Sequence, residues 1–166
     1  MKTALASQLD PKCYSLPTEN VLTPTLVIYR DLVKHNIERM VSILDGDPTR
    51  WRPHLKTVKL QSMTKLLVDA GVTSAKCATT LELVMACQAG MQDVLVAYPH
   101  NGENARRVAE IAGEFPEVRI SAIVESEKQL QEWKDTAVEL FIDIDAGMNA
   151  SRKRKPGPVS KKFAQY

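Results

Sequence analysis

The sequence predicts an α/β fold in which strand–helix units repeat around a parallel sheet. Three observations carry this. From about residue 51, short β-branched runs alternate with helical patterns at a regular beat. Glycines or small hydroxyl residues punctuate the helical patterns where caps belong. The run Asp93 to Tyr98 is rich in valine and leucine, as a strand covered on both faces should be.

The units follow in order. Arg52 to Thr57 is a short strand candidate containing Pro53, which a strand tolerates best near its start. Lys59 to Ala70 reads as a helix with Leu60, Met63, Leu66 and Leu67 on one face and Gly71 at its end. Ser74 to Thr79 is the next strand, and Thr80 caps a helix carrying Leu81, Val84, Met85 and Ala89 that stops at Gly90. Asp93 to Tyr98 is the third strand, and Asn101-Gly102 makes the turn into a helix over Asn104 to Phe115. Arg119 to Val124 is the fourth strand. Ser126 to Lys134 is its helix, with Ser126 as N-cap and Gln129 at the third position. Val138 to Asp145 is the fifth strand. Upstream, a strand over Thr25 to Tyr29 follows a proline turn and leads into an amphipathic helix, Arg30 to Leu44. Periodicity alone leaves a doubly wound sheet and an incomplete barrel both open.

At 166 residues, with 44% hydrophobic and 25% charged, the composition is that of a globular domain. A full eight-stranded barrel takes roughly 250 residues. No run approaches the ~20 apolar residues of a membrane span, and the N-terminus lacks a secretory signal, so a cytoplasmic protein is expected. Cys13, Cys77 and Cys87 form no CxxC pair. They read as structural thiols rather than a disulfide framework, and a zinc site of Cys77, Cys87 and His100 fits no standard module. All 20 acidic residues lie at or before Asp145, whereas six of the 22 Lys and Arg follow it, so a body of −4 carries a tail of +6. Such a tail is compatible with nucleic acid, but no aromatic stacking pattern accompanies it, and a disordered end is the preferred reading.

Chemistry concentrates in Arg52-Pro53-His54-Leu55-Lys56-Thr57. In α/β barrels the reacting groups sit at the C-terminal edge of the strands. A lysine there, among apolar neighbours and beside Arg52 and Lys59, is a candidate for a depressed pKa and hence a nucleophilic amine. The commoner fate of a lone lysine is a solvated surface charge. Asp143 and Asp145 alternate with Ile142 and Ile144, so both carboxylates point to one face of the fifth strand. A hydrogen-bonded structural pair is preferred there over a metal pair.

The string Arg-Pro-His-x-Lys-Thr, preceded by Thr-Pro-Thr-Leu-Val and followed by Lys76-Cys77-Ala78-Thr79-Thr80-Leu81-Glu82, resembles the D-threonine aldolase and D-serine dehydratase family. That family shares its barrel with alanine racemase, and the similarity runs from about Thr23 to Asn149. The resemblance implies a partial (β/α)8 TIM barrel of the alanine racemase N-terminal type, with about five of eight barrel strands present. It implies an N-terminal extension over residues 1–22, a partial barrel domain binding pyridoxal 5'-phosphate over 23–149, and a basic tail over 150–166. The Thr25 to Tyr29 strand would lie outside the barrel. The cofactor would be carried covalently on Lys56, which would also move the substrate's Cα proton, with His54, Thr79 and Tyr98 as further cofactor-side residues by position. The implied activity is lyase chemistry on D-3-hydroxy amino acids, aided in the complete family enzyme by a divalent metal whose ligands lie downstream. A dehydratase, a racemase relative or a non-catalytic carrier are the alternatives, and a homodimer is admissible.

The pattern departs from the family in two places. Val58 stands where Lys-Thr-His-Lys has histidine, and Gly147-Met148-Asn149 leads to Ala150 where Gly-Met-x-Arg-x-Gly is expected. A shifted frame or truncated gene is the expectation for that end, leaving a chain that would not turn over by itself. Its open strand edge would be an aggregation hazard.

Overall fold

A computed structural model describes residues 19–144. Its centre is a four-stranded parallel sheet, in spatial order β1 (Ser74–Cys77), β2 (Asp93–Val96), β3 (Arg119–Val124) and β4 (Glu139–Ile142). The helices are α1 (Arg30–Ile43), α2 (Gln61–Asp69), α3 (Thr80–Gln88), α4 (Glu103–Glu114) and α5 (Glu127–Glu132). Sequential strands as sheet neighbours, the first three each followed by a helix among the described residues, form the partial-barrel arrangement expected.

Alternation within the strands divides the sheet into two faces. Ala75, Cys77, Val94, Val96, Ile120, Ala122 and Val124 lie on the helix-covered face and are all buried. From the helix side Leu83 and Ala86 of α3 and Val108 and Ile111 of α4 meet them, none more than 1% exposed. Lys76, Leu95, Ser121 and Glu139 share a register row on the other face. A chain of alternating charges crosses that face near the N-terminal ends of the strands. Arg52 grips both oxygens of Asp93 at 2.8 and 2.7 Å, Arg119 lies 3.5 Å from Asp93, and Arg119 also reaches Glu139 at 2.6 Å.

The caps were partly legible. Gly71 (φ +86°) and Gly90 (φ +95°) end α2 and α3 in the left-handed conformation. In each case the next residue's N–H returns into the helix, Val72 to Leu67 and Met91 to Ala86. The N-cap of α3 is Thr79 rather than Thr80: its Oγ1 accepts the Glu82 N–H at 3.2 Å. Ser126 is the N-cap of α5 by position, without a side-chain bond, and Gln129 at the third position accepts the Glu125 N–H at 2.7 Å.

Two expected strands are absent among the described residues. Arg52 to Thr57 forms a single parallel bridge, His54 with Lys76, and then tightens into a 3-10 turn at Leu55–Thr57. Pro53 has no N–H to donate, and among the described residues β1 is the segment's only strand neighbour, so little ladder is available. Its attachment is the bond from Lys76 N–H to the Pro53 carbonyl at 2.7 Å, together with the Arg52–Asp93 pair. Thr25 to Tyr29 is also outside any strand. The fifth expected strand is present as β4 but shorter, ending at Ile142, with Leu140, Phe141 and Ile142 each 38–46% exposed. Helix α1 buries only Ile37. No described helix is long and apolar enough to cross a membrane.

Candidate functional site at the C-terminal edge of the sheet

The isolated bridge between His54 and Lys76 seats the segment carrying Lys56 beside β1, whose pairing with β2 runs as far as Cys77 and Val96. Thr79 and Tyr98 each follow two residues after those last pairs, on the C-terminal side of the sheet, where an α/β barrel does its chemistry.

Lys56 lies in the middle of the 3-10 turn with its side chain exposed. Among the described residues no ion pair or hydrogen bond holds its amine. The turn itself is well tied. Leu55 is buried, the His54 Nδ1 accepts the Lys56 N–H at 3.3 Å, and the Leu55 carbonyl accepts the N–H groups of Val58 and Lys59 at 3.2 and 3.0 Å. Burial holds the His54 pKa below the ordinary histidine value, with the positive charges of Lys56 and Lys76 adding to the effect. A neutral imidazole follows, and its Nδ1 lone pair is used on the backbone of the lysine turn.

Thr79 is committed to capping α3. Tyr98 is 44% exposed and stands edge-on to His100, ring centroids 6.0 Å apart. Burial lowers the pKa of His100, which hydrogen-bonds the Ala78 backbone while its Nε2 has no partner among the described residues. Glu82, at 3% exposure, reaches the same residue from the other side: its Oε2 accepts the Ala78 N–H at 2.8 Å. Its Oε1 makes no hydrogen bond but lies 3.4 Å from Lys59 Nζ, an ion pair without hydrogen-bond alignment. Glu82 had no role in the sequence reading, whereas Lys59 entered it only as a cation near Lys56 and His100 only as a possible zinc ligand. The spacing Thr79-x-x-Glu82 was the available signal for the first, since it is the capping-box spacing. Nothing local marks the pairing of Lys59 with Glu82 or of His100 with Ala78.

The remaining candidates separate. Cys77 and Cys87 are buried free thiols, and burial pushes them up to about 12 and about 11, so both are inert. No group of three or more His, Cys, Asp or Glu among the described residues could hold a metal ion. Asp143 is half-buried and its N–H bonds the Val124 carbonyl at 3.0 Å, whereas Asp145 lies outside the described residues, as does the basic tail. On the α1 side of the turn, His54, Thr57 and Val58 help line an apolar cleft of about 510 Å3 with Tyr29, Val33 and Met63.

Comparison with known proteins agrees with this architecture. No curated protein matches the chain. Among solved structures, a D-threonine aldolase from Filomicrobium marinum superposes with a TM-score of 0.69 at 21% sequence identity. The match covers 79% of this chain and 37% of the aldolase, so the chain spans little more than a third of that protein's length. The family model described as alanine racemase, N-terminal domain, matches residues 28–155. The chain belongs to the alanine racemase N-terminal domain family.

Proposed function

We propose that this chain is a pyridoxal-phosphate-binding unit of D-threonine aldolase type, with Lys56 as the lysine that carries the cofactor and D-3-hydroxy amino acids as the substrate class. The observation that supports the reading best is the Lys56 amine, unpartnered among the described residues, on a turn fixed by its own backbone beside β1. A covalent cofactor needs such an amine, and the residues present fit that end of the group. When bound, pyridoxal phosphate supplies an electron sink conjugated to the substrate's Cα. Lys56 is the group available to hold it and to take or return a proton at that carbon. His54 Nδ1 accepts the Lys56 N–H, and Tyr98 offers an exposed ring just after the C-terminal end of β2.

A second reading, a non-catalytic carrier, is favoured by one observation: Val58 stands where the family's Lys-Thr-His-Lys motif has histidine. The two are separated by incubating the protein with pyridoxal phosphate, reducing with borohydride and mapping the label by peptide mass spectrometry, beside Lys56→Ala. A label on the Lys56 peptide that is lost in the variant supports cofactor carriage, and turnover of D-threonine or D-serine by the unreduced protein then distinguishes enzyme from carrier. Labelling that ignores Lys56 ends both readings.

A further inference from the structure

We propose that Glu82 and Lys59 form a strap that holds the Lys56 turn against the start of α3, making both of them positioning residues for Lys56. The functional part of this inference rests on the assignment of Lys56 above; the strap itself does not.

Glu82 is buried on the first turn of α3, and capping that helix occupies only one of its oxygens. A carboxylate taken out of water needs a counter-charge for the rest of its lone pairs. That charge is Lys59, three residues after Lys56. Lys59 adopts φ +55°, a left-handed backbone that a lysine takes only where the surroundings hold it. This conformation accompanies the closing hydrogen bond from the Lys59 N–H to Leu55 and lets the side chain lie toward Glu82. The loop over residues 55–59 is therefore fixed at both ends. At its start are the His54 bridge and buried Leu55, and at its finish is the ion pair. Lys56 is left exposed between the two anchors. The same carboxylate favours protonation of both His54 and Cys77, as a negative charge seated beneath the turn must.

The test compares hydrogen exchange of the Val58 and Lys59 amides in wild type, Glu82→Gln, Lys59→Gln, the double variant and Lys59→Arg. Glutamine keeps an acceptor for the Ala78 N–H, so the α3 cap survives while the charge pairing is lost. Because Lys59 is 61% exposed, the expected acceleration is modest, roughly fivefold in either single variant. It should not grow in the double variant, should return to the wild-type rate in Lys59→Arg, and should leave the α4 amides unmoved. Borohydride-fixed labelling of Lys56 should slow in parallel. Unchanged exchange in Lys59→Gln, which alters only an exposed side chain and should fold, overturns the strap, as do additive effects in the double variant. If exchange behaves as stated while wild type takes no label at Lys56, the strap stands and the cofactor assignment fails.

Discussion

Replacing Asp93 tests how the Lys56 segment is attached to the sheet. The segment makes one bridge to β1, and Arg52 reaches past β1 to Asp93 on β2. The Asp93 side chain is 17% exposed and that of Arg52 30%. Fully exposed pairs are worth about 0–1 kcal/mol, whereas removing one partner of a buried pair costs about 3–5 kcal/mol. At this intermediate exposure, with bidentate geometry, we expect Asp93→Asn to destabilise by about 2 kcal/mol. Asn can accept only one of the two Arg52 bonds, and Arg119 retains Glu139. Glu139, 51% exposed, provides the internal control: Glu139→Gln should cost no more than about 0.5 kcal/mol. Urea denaturation of the two variants gives the comparison, and repeating it in about 1 M salt, where the screening length falls to about 3 Å, should erase the Glu139 effect and spare most of the Asp93 effect. Equal costs for the two variants, or an Asp93 effect that salt abolishes, would refute the claim that a partly desolvated pair anchors the segment.

Cys77 and Cys87 should resist a thiol reagent in the folded protein and react once urea is added, since thiols raised to about 12 and about 11 present almost no thiolate at neutral pH. Because the unfolded thiols ionise near 9.0 while the folded ones stay protonated, stability should fall as pH rises above about 9. His100 has the opposite sign: its folded pKa is depressed, so its contribution is present above the ordinary value of 6.5 and lost as pH falls below it, and His100→Gln should flatten that acid limb of a stability–pH curve. At β4, whose outer edge is unpaired among the described residues, Ile142→Lys should reduce concentration-dependent association of the 166-residue chain in sedimentation velocity with little change in its unfolding midpoint, because Ile142 is 46% exposed.

The repeating strand–helix order, the glycine stops and the parallel sheet were legible in the sequence, because local patterns encode them. Val94, Val96 and Val124 are valines where two faces must be covered, and Gly71 and Gly90 stand where the backbone turns left-handed. The motif singled out Lys56, whose role is the one proposed above, and the bridge of His54 to Lys76 sets its segment beside β1. The Arg52 to Thr57 strand was misread because β propensity says nothing about whether a neighbouring strand exists, and with only β1 beside it among the described residues and Pro53 withholding a donor, the segment closes into a turn. Glu82 sits in a readable capping spacing, yet its second role depends on a lysine 23 positions earlier bending inward. His100 likewise gains meaning only when β1 comes alongside to offer Ala78. Sequence fixes which groups can be charged or can hydrogen-bond. Burial by distant segments decides which of them must find partners, and only the tertiary structure shows Lys59 paired while Lys56, three residues away, keeps a free amine among the described residues.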